Sequence, residues 1–289
     1  MTFQGNGPLD TSQVHGGSAS GGGAARIAMG GGAGLLLTLV ALFLGINPSI
    51  LSGASSGLQT SQSSGTNSTD AQLQQHIDSC TIALANTDDV CRIVATTNSV
   101  KQVWSQILGS EWTQPQTQIF SGAVNTGCGP ASSEMGPFYC PVDQTAYFDP
   151  TFFAELKRMG GSDGPLSQEY VVAHEFGHHV ENLTGVLAKG QRLGNPGSVR
   201  IELQADCLAG VWAYHADKGP NAMLAPLTDQ QIATVIQTAQ AIGDDTIQGA
   251  RSNPENWTHG SAEQRTRWFK IGYSQGDRTQ CDTFATNDL

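Results

Sequence analysis

Charge is scarce in this chain. Charged residues fill 13% of its 289 positions, against about a quarter in ordinary soluble domains, and the polarity comes instead from Gly, Ser, Thr, Asn and Gln. Basic residues are the scarcest. Fourteen Lys and Arg stand against 25 Asp and Glu, for a net charge of -11, and nowhere do they cluster. That argues against nucleic acid and anionic lipid headgroups as partners, since both are held by concentrated positive charge. No two of the six cysteines stand two to four residues apart, which argues against a thiolate zinc site. No internal repeat is present, so a solenoid is not expected.

Long apolar runs are also missing, with one exception. Ile27 to Ile46 carries no charge and only Thr38 as a polar side chain, a stretch able to cross about 30 Å of hydrocarbon as a helix. The expected organisation is a disordered Gly/Ser-rich cytoplasmic tail (1–25), a transmembrane helix (26–47), a flexible linker (48–70) and one folded domain (71–289). Arg26, with no Lys or Arg between it and Arg92, places the N-terminus inside and the domain outside. The first third of the run is Gly-rich, and a cleaved signal ending at Ala54, with Ser52 at the third position back, is the alternative to the favoured uncleaved anchor. Gly30 and Gly34 fit a weak helix-dimer contact.

Six cysteines, Cys80, Cys91, Cys128, Cys140, Cys207 and Cys281, all lie beyond this run. An even number outside the membrane favours disulfides, with about 15 connectivities open. Nearest-neighbour pairing joins Cys80 to Cys91 and Cys128 to Cys140, and leaves Cys207 for Cys281.

Apolar residues recurring every three or four positions predict helices over Ala71 to Ala85 and Val90 to Ile107. Strands are expected at Thr117 to Val124 and Thr145 to Asp149, and a short helix at Phe152 to Met159. Ser167 reads as the N-cap of a helix containing His174 and His178, and a further helix runs from Val199 to Asp217. Leu227-Thr228-Asp229 reads as the cap of a helix from Gln230 to Ile242 and Ser261 as the cap of a last one, and the loop from Gly185 to Ser198 is expected to border a cleft. The fold class is α+β, mostly helical, with a small sheet.

The run His174-Glu175-Phe176-Gly177-His178 carries the chemistry. Residues four apart on a helix share a face, so both imidazoles can reach one metal ion. Glu175 sits beside that ion without binding it, placed to take a proton from water acidified by Zn²⁺ and hand it to a leaving amine. Glu202 supplies a third ligand, leaving one coordination position open. Asp206, one turn later, is suited to orient a ligand histidine. Core histidines and a solvated acidic face would explain these residues singly. They do not explain two histidines and two carboxylates at ligand spacing within apolar sequence, where an unpartnered charge is expensive. His179 lies off the ligand face and reads as structural or exposed.

Several segments resemble the bacterial neutral zinc metallopeptidase family, which is membrane-anchored: Thr126-Gly127-Cys128-Gly129, Phe138-Tyr139-Cys140-Pro141, the His174–His178 motif, Glu202 through Cys207, and Thr258-His259-Gly260-Ser261 with Gln264-Arg265. The resemblance implies a zincin-like domain in which an active-site helix packs under a small sheet. The family's charged N-terminal stretch is replaced here by the Gly/Ser leader. Membrane-linked proteases of the HtpX type are similar around His259 and Arg265, with a proline where this chain has Gly260. That likeness implies that His259 donates to the oxyanion and Arg265 supports the transition state. The alternative places His259 at a helix flank and Arg265 in a salt bridge.

The expected function is a zinc endopeptidase acting on protein or peptide substrates outside the cytoplasmic membrane, with the strand at Ala146 to Phe148 pairing with extended substrate. A catalytically silent zinc scaffold of the cell envelope is the alternative, although Glu175 would have no use there. Hydrolysis of a non-peptide amide in the cell wall is a third reading.

Overall fold

A computed structural model describes residues 2–17, 66–249 and 251–289. Strand β1 (Val14–Gly16) comes first, then helices α1 (Thr66–Asp78) and α2 (Asp89–Leu108). Five strands follow: β2 (Gln116–Ile119), β3 (Ala123–Thr126), β4 (Gly129–Ser132), β5 (Phe138–Cys140) and β6 (Thr145–Phe148). The remainder is helical: α3 (Phe152–Arg158), α4 (Pro165–Leu183), α5 (Val186–Gln191), α6 (Asn195–Ala216), α7 (Asp229–Ala241), α8 (Asp244–Ile247) and α9 (Ala262–Gln275). The architecture is therefore mostly helical α+β with a small mixed sheet.

Local signals explain most helix starts. Asp88 accepts from the Cys91 N–H at 2.8 Å to open α2. Thr228 with Gln231, and Ser261 with Gln264, form complete capping boxes on α7 and α9. Ser167 does not cap α4. Gly164 stands at the N-cap and Pro165 at the first helical position, where the missing N–H costs nothing. Ser167 is buried one turn inside. Much of the expected loop at 185–198 is likewise helical, and α6 starts at Asn195 with Pro196 in its first turn.

The sheet runs β1-β2-β6-β5, parallel across its first two pairings and antiparallel between β6 and β5. β6 thus lies inside the sheet with both edges taken, so it cannot receive substrate as the sequence reading proposed. The edge strand on that side is β5. The hairpin β3–β4 is separate, and a disulfide from Cys128 ties its turn to Cys140 at the end of β5. The other disulfides join Cys80 to Cys91 and Cys207 to Cys281, so all three follow nearest-neighbour pairing.

The core lies where α4 and α6 cross, between α2 on one side and α9 on the other. Trp104, Tyr170, Phe176, Trp212 and Phe269 are all fully enclosed there. Two glycines set the helix spacing. A Cβ at Gly177 on α4 would lie 3.1 Å from the Ala205 Cα on α6, and one at Gly272 on α9 would lie 1.9 Å from the Cys207 carbonyl oxygen. The sheet covers the side of α4 that includes His179.

Residues 2–17 are ordered, contrary to the disorder their composition suggests. Phe3 bridges Leu224, Pro8 bridges Thr81, and Val14 to Gly16 pair in register with Thr117 to Ile119. Asn86 Oδ1 accepts the N–H groups of Thr2 and Phe3 at 2.8 and 3.1 Å. Three apolar side chains cannot form a core alone, but Phe3, Leu9 and Val14 are buried against one that exists, each contributing about 1.5–3 kcal/mol. Beneath this strap lies Glu169, fully buried. Burial pushes its pKa up to about 8, with the Thr2 hydroxyl and the Arg92 guanidinium offsetting only part.

Among the described residues, no helix is long and apolar enough to cross a membrane. The run at 27–46, with Arg26, the Gly30/Gly34 pair and Ala54, lies outside them. Helix α1 begins at Thr66, inside the segment read as linker.

Candidate metal centre

His174 and His178 project from α4 toward α6, which carries Glu202 and Asp206 one turn apart. The close approach at Gly177 brings the two faces together. His174 Nε2 lies 3.1 Å from Glu202 Oε2, and His178 Nε2 lies 3.5 Å from Glu202 Oε1. Two imidazoles and a carboxylate therefore converge, with ligand atoms within 4.8 Å of one another. A second such group, His76 with Cys80 and Cys91, holds no open thiol, because those sulfurs form a disulfide.

Each histidine is braced on its far nitrogen. His174 Nδ1 lies 2.9 Å from Asp206 Oδ1, as the helical spacing predicts. The partner of His178 was not anticipated: Nδ1 lies 2.8 Å from Glu181 Oε2, on the same helix and fully enclosed. The signal was present as an acidic residue three positions on, which a helix places beside the imidazole. Both rings thus turn Nε2 toward Glu202.

Electrostatics separate these groups. Burial holds His178 down, to about 4. Burial also pulls His174 down, but Asp206 and Glu202 together lift it to about 10. Burial pushes Glu202 up, yet His178 and His174 hold it well below the usual carboxylate range. Asp206 is likewise depressed, with Arg265 and His174 outweighing its burial. Burial drives Glu181 well upward and Glu175 up to about 7. The only guanidinium of the cluster is spent on Asp206. A buried N,N,O donor set whose ligand atoms converge in this way fits a divalent metal of the zinc type.

Arg265 reaches in from α9. Its Nη2 donates to Asp206 Oδ1 at 2.9 Å, and Nε lies 2.9 Å from Oδ2. Tyr170 donates its hydroxyl to Asp206 at 2.5 Å. Arg265 is therefore chiefly a salt-bridge partner. His259 borders the same pocket as Glu175 and the metal-ligand candidates. It is held by Asp244, a residue sequence reasoning missed. Asp244 Oδ2 accepts the N–H groups of Thr258, His259 and Gly260 at 2.8, 2.7 and 3.1 Å, and Oδ1 lies 3.3 Å from His259 Nδ1. These contacts span more than a dozen residues and leave no local pattern.

His179 is structural, as expected. Its Nε2–H donates to the Thr113 carbonyl at 2.7 Å, so Nδ1 accepts from the Tyr139 hydroxyl at 2.8 Å. This pins β5 to α4. The pocket beyond the site is walled mainly by apolar side chains, including Met135, Phe138, Phe152, Val171 and Ile242.

The chain matches the family model described as "Putative neutral zinc metallopeptidase" over residues 5–284. An uncharacterized protein of Mycobacterium tuberculosis is 56% identical over 211 residues, covering 69% of this chain and 72% of the relative. The uncharacterized protein YpfJ of Escherichia coli K12 is 37% identical over 289 residues, covering 95% and 94%. No solved structure matches. This chain belongs to that zinc metallopeptidase family.

Proposed function

We propose that this family member is a zinc endopeptidase with a zincin-like site, working outside the cytosol, where its three disulfides persist. The observation that carries the reading is the convergence of the His174 and His178 Nε2 atoms on Glu202, inside a pocket that also presents Glu175. A zinc ion held by His174, His178 and Glu202 supplies Lewis acidity toward water and a peptide carbonyl.

The remaining chemistry belongs to the chain. Glu175, its pKa lifted to about 7 by burial, takes the proton of the attacking water and returns it to the leaving amine. Asp206, itself neutralised by Arg265, orients His174, while Glu181 orients His178. His259, fixed by Asp244, donates to the oxyanion that develops as the carbonyl is attacked. An extended substrate adds to the outer edge of β5, where Phe138 and Tyr139 border the pocket. The apolar walls favour a large apolar side chain next to the scissile bond.

The test is zinc content and cleavage of an unbiased peptide library by the whole protein and by its Glu175→Gln variant. One zinc per chain in both, with cleavage by the first alone, is the expected result. Zinc without cleavage by either would identify a scaffold. Cleavage surviving Glu175→Gln would remove the assigned base.

A further inference from the structure

The strap of residues 2–17 and the start of α1 meet on the folded domain, and between them in sequence lies the apolar run 27–46. Gly16 N–H donates to Gln74 Oε1 at 2.8 Å, and Gly17 N–H to the Ile119 carbonyl at 2.9 Å. Further along the strap, Asp10 pairs with Lys101 at 2.9 Å and its N–H bonds Asn98 at 2.8 Å. The strap also supplies one of the four strands of the main sheet.

A single crossing by the run would place residues 2–17 and 66–289 on opposite faces of about 30 Å of hydrocarbon. Contacts near 3 Å and a β-ladder cannot bridge that distance. The strap is bonded to α1, α2, β2 and the segment at Leu224, so no part of it could stay docked if its compartment differed from theirs.

We infer that residues 2–17 occupy the same compartment as the metal centre and form a permanent part of its domain. This placement stands as an alternative to the inside-to-outside topology that Arg26 and the length of the run suggest, and it does not depend on the proposed peptidase activity.

The experiment uses the full chain in intact cells. His15 and Gln118 are directly opposed in the β1–β2 register, within the Cα separation a disulfide spans. In a His15→Cys/Gln118→Cys variant, quenched with an alkylating agent before lysis, we expect mass spectrometry to find the strap peptide joined to the β2 peptide. A link between two chains would still place strap and domain together. A second measurement does not depend on that bond: Asn6→Cys and Ala233→Cys, both at exposed positions, are labelled separately with a membrane-impermeant maleimide. Equal labelling, before and after lysis, is expected. Labelling of Ala233→Cys in intact cells while Asn6→Cys reacts only after lysis, with no strap–β2 link, would overturn the inference.

Discussion

Asp244 grips His259 at both its backbone and its ring: Oδ2 takes the residue's N–H at 2.7 Å while Oδ1 stands 3.3 Å from Nδ1. Replacing Asp244 with Asn keeps an acceptor for the backbone but removes the carboxylate charge beside the ring. If His259 stabilises the oxyanion, kcat falls by about 10- to 100-fold with KM little changed. His259→Ala would fall at least as far, and the double variant no further. Steady-state kinetics on one cleaved peptide would show this.

The carboxylates behind the two imidazoles act on metal affinity. Glu181→Gln should weaken zinc binding by about 10- to 100-fold without unfolding the chain, and Asp206→Asn should do the same. Glu202→Ala should abolish stoichiometric zinc. Asp206→Ala differs in kind, because it strands Arg265 in the core and should cost about 3–5 kcal/mol of stability. Competition with a chelator and denaturant unfolding separate these outcomes.

Glu169 predicts how stability changes with pH. Its pKa rises from 4.5 to about 8 on folding, chiefly through burial, so between those values the folded chain holds a proton that the unfolded chain releases. Stability from this group is fully present below pH 4.5 and is lost as pH rises toward 8. Glu169→Gln should flatten that decline and raise stability at pH 9 by up to roughly 5 kcal/mol. Melting curves across this range, compared with wild type, provide the check.

The α6–α9 contact leaves no room at Gly272, where an added methyl would meet the Cys207 carbonyl. Gly272→Ala should destabilise the domain by about 1–3 kcal/mol through overpacking. Because α9 carries Arg265, its displacement should also loosen Asp206 and lower zinc affinity. Gly249→Ala, at a half-buried loop position with φ +86° and nothing within 4 Å of an added Cβ, should leave zinc affinity unchanged. Parallel zinc titrations would distinguish them.

What the sequence made legible is local or periodic. His174, His178, Glu202 and Asp206 could be assigned because helix geometry converts spacing into shared faces. Thr228 and Ser261 were readable as caps because their partners lie three residues on. Cysteine order gave the disulfides because each pair is the nearest available. The misses are non-local. Asp244 reaches His259 across a chain reversal, and β6 became an interior strand only because β2 and β5 pair on either side of it. Strap residues Phe3, Leu9 and Val14 lie in Gly-rich sequence whose composition says nothing about a core supplied by another segment. Ser167 misled through a different cause: Pro165, two residues earlier, already starts the helix.

The Cys207–Cys281 bond and the Arg265–Asp206 pair share a property of timing. All three metal-ligand candidates precede residue 203, yet the counter-charge behind His174 comes from residue 265 and the covalent brace beside Asp206 from residue 281. During synthesis and export, the ligands emerge well before the groups that hold them in place. A chain that has not delivered its C-terminal helix and oxidised its final cysteine contains the motif without the finished site, so completion of the candidate metal centre waits on the last residues made.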